Sequence, residues 1–160
     1  MNNERFVHDL IKGRIAETIF EMMFRDTKKF TVLHFGYEYT EPILAQYRNM
    51  VVMKKVLDPV SKTPDFILIT EDKKQSYVVE VKYRAHFNEK NLIDIANKIV
   101  KNWETSFIFL ISKDGFYFSP VHRIINNIGA IEPLPTNWVS QEIQDKYKKL
   151  ANDWLWQHKD

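Results

Sequence analysis

Asp65, Glu80 and Lys82 are the residues of this chain best placed to do chemistry. Asp65 precedes an apolar, β-rich run at positions 66–70, and Glu80 and Lys82 sit inside a second such run at 76–83. The polar stretch Glu71-Asp72-Lys73-Lys74-Gln75 between the runs reads as a turn. A hairpin closing around Asp72-Lys73 sets Asp65 directly opposite Glu80. Directly opposed residues hold their Cβ atoms about 5 Å apart on one face. Side chains alternate along a strand, so Lys82 joins Glu80 on that face. Two carboxylates so placed repel each other unless a cation lies between them. The pattern therefore predicts a divalent-metal hydrolytic site at one end of an apolar sheet. The prediction depends on register, because a one-residue slip turns every side chain to the other face.

The competing reading is a solvated strand rim carrying a surface ion pair. Two features weigh against it. Glu80 and Lys82 interrupt a Tyr-Val-Val and Val-Tyr segment that otherwise has the composition of a strand buried on both faces. A charge in such a strand is costly unless it is paired or bound to metal. Pro64 in turn falls at the first position of its strand, where the missing N–H is tolerated.

Pro64-Asp65, a hairpin and then Glu80-Val81-Lys82 resemble the signature of the PD-(D/E)XK nuclease superfamily. That superfamily includes type II restriction enzymes, archaeal Holliday junction resolvases and many repair and phage nucleases. Its core is a helix, a three-strand meander, a helix and a further strand. The predicted elements follow that order across roughly residues 12–112. A helix over about 3–25 carries Phe6, Leu10, Ala16, Phe20 and Met23 at helical spacing. A first strand spans 30–39, bent at Gly36. After the hairpin, Asn88 caps a helix running to about Trp103, with Leu92, Ile95, Ala96, Ile99 and Trp103 on its apolar stripe. Residues 107–111 read as a buried strand, and 115–118 as one more, reached by a turn at Lys113-Asp114.

The resemblance implies an α/β fold with a restriction-endonuclease-like core, a mixed central β-sheet flanked by helices. It implies a metal-dependent endonuclease that hydrolyses DNA phosphodiester bonds. Asp65 and Glu80 would hold Mg²⁺, for which Mn²⁺ would substitute, with the Val81 carbonyl a further ligand. Lys82 would orient the attacking water and stabilise transition-state charge. Resolvase-like members carry an acid on the first helix, a few residues after a glycine. Gly13-Arg14-Ile15-Ala16-Glu17 matches that pattern, so Glu17 is the fourth candidate and Glu21, one turn later, the reserve. Without the resemblance, Glu17 reads as a helix-surface carboxylate.

Arg84, Lys90, Lys98 and Lys101 are the candidate nucleic-acid contacts. Lys90, Asp94, Lys98 and Lys101 recur on one polar stripe, which equally suits an ordinary solvated helix face. The family often places a Gln or Lys on this helix near the site; Asn97 and Lys98 are the nearest equivalents here, without a clear match. Residues 41–63 form an insertion, with a helical turn at 42–48 and a short strand at 51–56. It carries specificity in one reading and covers a sheet edge in the other. After Glu132-Pro133-Leu134-Pro135, Asn137 or Ser140 caps a final helix to about 157, whose stripe of Ile143, Tyr147, Leu150, Trp154 and Leu155 packs on the core or forms a homodimer contact.

Composition sets the outer bounds. A chain of 160 residues reads as a single domain, able to bury roughly 70% of its unfolded surface. Hydrophobic residues at 44% and aromatics at 14% place it among globular rather than disordered chains. With no cysteine there is no disulfide or thiolate metal site, which favours a cytoplasmic, intracellular protein. The first residues precede no apolar signal core, and no apolar run approaches the roughly 20 residues a membrane span needs. The five histidines show no metal-ligand spacing. A net charge of +2 neither demonstrates nor excludes nucleic-acid binding, since local charge matters more than the total. Two alternatives stand beside the nuclease: a non-catalytic nucleic-acid-binding or assembly module on the same fold, and an interaction protein in which Asp65, Glu80 and Lys82 form a structural ion cluster.

Overall fold

The computed structural model describes residues 3–36 and 63–156, with side chains in the first helix described from Val7 onward. Helix α1 (Asn3–Asp26) is followed by strands β1 (Phe30–His34), β2 (Phe66–Thr70) and β3 (Ser76–Tyr83). Helix α2 (Glu89–Val100) leads to β4 (Phe107–Ile111) and β5 (Phe116–Pro120), then α3 (Val121–Asn126) and α4 (Gln141–Leu155). The five strands lie in sequence order; β3 and β4 are parallel and every other pair is antiparallel. A parallel pair needs a crossover, and α2 supplies it. The protein is therefore α/β, with an open mixed sheet flanked by helices.

Alternation along the strands divides the apolar residues between two cores. Val32, Phe66, Leu68, Val79, Val81, Phe109 and Ile111 face α1 and α4. Ile108 and Leu110 face α2 and α3, where Leu92, Ala96, Val121 and Ile124 are buried. Helix α1 is anchored by Phe20, whose ring centroid lies 4.6 Å from Phe24, 4.9 Å from Phe66 and 5.0 Å from Phe109. Those contacts fix the helix carrying Glu17 against β2 and β4.

Several element bounds differ from expectation. Leu10 is 53% exposed, because the apolar side chains of α1 pack on the core only from Ile15 onward. Helix α2 stops at Val100, and Trp103 instead begins a turn and packs edge-on against Phe35 at 5.2 Å. The last strand runs Phe116–Pro120 rather than 115–118, and α3 follows it without any side-chain cap to announce it. In α4, Ser140 rather than Asn137 is the cap. Its buried line is Tyr147, Ala151 and Leu155, whereas Trp154 remains 65% exposed. That line shares the apolar core with α1, and a polar tie is added where Asp26 accepts from both Lys146 and Tyr147. The first strand ends at His34, with Phe35 and the bend at Gly36 outside it, whereas residues 37–39 of its expected span, the 42–48 turn, the 51–56 strand and position 157 lie outside the described residues. No described helix is long and apolar enough to cross a membrane.

Of Gly13, Gly115 and Gly129, only Gly129 stands where the packing forbids a side chain. Its φ is +91°, and an added Cβ would lie 2.2 Å from the carbonyl oxygen of Glu89, the first residue of α2. Gly129→Ala should therefore cost at least about 2 kcal/mol, because left-handed strain and a backbone clash act together. Gly13, inside α1 with nothing within 4 Å of an added Cβ and no positive φ, is the control. Chemical denaturation of both variants checks this, with Gly13→Ala the more stable.

Candidate active site

The β2–β3 ladder pairs Phe66 with Val79 and Ile67 with Val78. One step further, Asp65 stands opposite Glu80, as the hairpin reading expects. The turn that sets this register is closed by Lys73 N–H donating to the Thr70 carbonyl at 2.8 Å, and Asp72 accepts from the Thr70 hydroxyl at 2.6 Å. Asp65 itself lies in the bend before β2. Its backbone is pinned by the N–H groups of Phe35 and Gly36, which donate to its carbonyl at 2.9 and 3.3 Å. Its Oδ2 accepts the Val81 N–H at 2.7 Å, so the carboxylate fills the seam where the two strands part. The N–H and C=O of one strand residue point to the same edge, so the Val81 carbonyl is also on the Asp65 side.

Glu80 and Lys82 alternate with Val79, Val81 and Tyr83, which belong to the α1 side of the sheet. Their register partners in β4 are Ile108 and Leu110, on the α2 side. Lys82 Nζ pairs with Glu80 Oε1 on that face. Glu17 approaches from the opposite face on α1, where Arg14 Nη1 holds its Oε2 at 2.9 Å. Its charge nevertheless acts on Asp65, which sits just beyond the start of β2. The site thus draws its groups from both faces at one end of a strand pair.

Burial is the main reason the Asp65 pKa is pushed up to about 7, with the Glu80 charge adding to it. Lys82 and the Val81 N–H oppose that rise, and Glu17 adds to it more weakly. Lys82 behaves in the reverse sense. Burial alone would lower its pKa, but the negative charges of Glu80 and Asp65 outweigh it and hold the amine above its ordinary value. The site therefore contains a firmly protonated amine and a carboxyl that keeps a proton near neutrality.

No family model, curated protein or solved structure matches the chain.

Among the described residues, no three His, Cys, Asp or Glu side chains form a group able to hold a metal ion. What the site offers is a shorter donor set: two carboxylates separated by one strand spacing, and a main-chain carbonyl beside them. Such a set suits a small hard cation that retains several waters. Burial and the Glu80 charge disfavour the ionised form of Asp65 despite Lys82 and the Val81 N–H, and a bound cation would favour it.

The remaining candidates are placed unequally. Arg84 is exposed at the end of β3, and its charge is felt by Lys82. Lys90 and Lys98 are exposed on α2, and Lys101 is its C-cap. No ion pair or hydrogen bond among the described residues links these three lysines to Asp65, Glu80 or Lys82, and their exposure is that of a solvated helix face. Glu21 engages Arg25 at 2.8 Å and His34 at 3.0 Å. Sequence reasoning did not find Arg14, His34 or the Phe35 and Gly36 N–H groups. None of them had a short-range signal: His34 reaches the site only through the β1–β2 register, which sets it opposite Phe66, next to Asp65.

Proposed function

We propose that this protein is a metal-dependent endonuclease hydrolysing DNA phosphodiester bonds, with Asp65, Glu80, Lys82 and Glu17 as its working residues. The observation that carries the reading is the meeting of Asp65, Glu80 and a protonated Lys82 at one end of the β2–β3 pair, in the register that brings both acids together. The choice of DNA rests on the resemblance of Pro64-Asp65 and Glu80-Val81-Lys82 to the nuclease signature.

Asp65 and Glu80 would hold Mg²⁺ or Mn²⁺, with the Val81 carbonyl as a further donor and Glu17 holding a metal-bound water or a second ion. The cation would polarise the phosphate and acidify water. Lys82, kept protonated by Glu80 and Asp65, donates rather than accepts at neutral pH. It orients the attacking water and stabilises the charge that develops on the phosphate oxygens. Arg84, beside Lys82 and open to solvent, steers the backbone of the substrate toward it.

The test is cleavage of a panel of linear and branched DNAs with Mg²⁺ or Mn²⁺ and with chelator. Metal-dependent nicking is expected; no cleavage of any substrate in either metal would end this reading. Glu17→Gln should slow cleavage about tenfold or more with little change in the fold or in DNA affinity. Glu21→Gln should do less, because the Glu21 oxygens are taken by Arg25 and His34 and would make no contact of their own with the metal. Greater sensitivity at Glu21 would show that the wrong helix acid had been chosen. One observation favours a structural ion cluster instead: Lys82 and Glu80 already pair with each other. That reading requires Lys82 variants to unfold.

A further inference from the structure

A polar network ties the two halves of the site together from outside it. His34 Nε2 lies 3.0 Å from Glu21 Oε2. The other Glu21 oxygen accepts from Arg25 Nε and Nη2 at 3.1 and 2.8 Å, and Arg25 Nη2 also donates to the Val32 carbonyl at 3.2 Å. Glu21 lies one helical turn after Glu17 on α1. His34 ends β1, opposite Phe66, and the next two residues donate the N–H groups that hold the Asp65 carbonyl. One end of the network therefore carries the helix acid and the other carries the backbone of Asp65.

We infer that Glu21 and His34 are positioning residues that hold Glu17 in register with Asp65. The inference rests on the nuclease reading above and deepens it. Magnitudes separate this role from a purely structural one. Helix α1 is already held by Phe20, Met23 and Phe24, all fully buried. His34 and Glu21 are partly buried, with 32% and 20% of their side-chain surface exposed, and the His34 ring lies 4.9 Å from Phe66, so the pair adds to stability but less than the three buried side chains do. Groups that orient metal ligands, by contrast, commonly change metal affinity about 10- to 100-fold when removed.

The experiment is an Mg²⁺ titration followed by thermal melting, with single-turnover cleavage, in wild type, His34→Ala, His34→Gln, Glu17→Gln and the Glu17→Gln/His34→Ala double variant. His34→Ala should fold without metal, melting somewhat below wild type for the lost packing on Phe66, and need about tenfold more Mg²⁺ for half its metal-induced shift. His34→Gln, which restores a donor at similar reach, should recover most of the loss. In the Glu17→Gln background His34→Ala should add almost nothing, since its effect is exerted through Glu17. Full additivity, an unchanged Mg²⁺ requirement, or unfolding of His34→Ala would overturn the inference. A wild type that neither responds to Mg²⁺ nor cleaves would instead overturn the nuclease reading, and this inference with it.

Discussion

Asp65→Asn should abolish both metal-induced stabilisation and DNA cleavage, while making the metal-free protein more stable at pH 8. Two effects of one carboxylate lie behind this. Asp65 is the acid caught between burial and the Glu80 charge. As a ligand it would be repaid by the cation; without the cation it is a liability. An amide of the same shape keeps an oxygen to accept the Val81 N–H and removes the repulsion. In wild type, Mg²⁺ should raise the melting temperature with concentration as a ligand binding only the folded state does. In Asp65→Asn the shift should vanish. An equal shift in both proteins would place the metal elsewhere.

The same carboxyl sets a pH dependence whose sign follows from its raised pKa. In the folded protein it titrates at about 7, against 3.8 when unperturbed. Between those values the folded state binds more protons than the unfolded state. Its contribution to stability is therefore fully present below about pH 4 and is lost as pH rises through about 7. Metal-free wild type should lose stability relative to Asp65→Asn across that window, by on the order of 1 kcal/mol or more. Protons and metal compete for the same oxygens, so the Mg²⁺ shift should grow from pH 6 to pH 8. Denaturation curves at several pH values, with Mg²⁺ and with chelator, check both trends.

The hairpin was legible in the sequence because its signals are local. Two β-rich runs flank a short polar turn, and so short a turn leaves little freedom of register; Phe66 pairs with Val79 as the turn requires. Asn88 was legible as a cap because capping is a contact within one turn, and its side chain accepts the Asn91 N–H at 2.9 Å. The juxtaposition of Asp65, Glu80 and Lys82 followed from that register alone. The rest depended on distant packing. Whether Leu10 or Trp154 is covered depends on what stands beside the helix, and periodicity carries no record of that. That Glu17 acts on Asp65 from the other face of the sheet is set by how Phe20 seats α1 on β2 and β4. The approach of His34 to Glu21 arises from the same seating, so no local pattern could announce it. Helix α3 was missed because six residues after a proline offer neither a capping side chain nor enough length for a periodic stripe.

Lys82→Met should fold, take up Mg²⁺ and bind DNA much as wild type does, yet cleave at least about a hundredfold more slowly. Methionine retains much of the packing of the lysine stem, so the substitution chiefly removes the charge. The amine is assigned to the water and to transition-state charge, and losses of about a hundredfold or more are the usual consequence of removing such a group. Its loss also frees Glu80 from its internal partner. Metal affinity should therefore hold or rise slightly, because the cation no longer competes with an ammonium for that carboxylate. This opposite movement of binding and rate distinguishes Lys82 from Asp65, whose replacement loses both together. Single-turnover cleavage and metal titration, run side by side on the two variants, read the difference. Wild-type rates in Lys82→Met would remove the amine from the mechanism. Unfolding of that variant would show that the Lys82–Glu80 pair serves the fold, since two carboxylates left without their amine would then be too costly for β3 to hold.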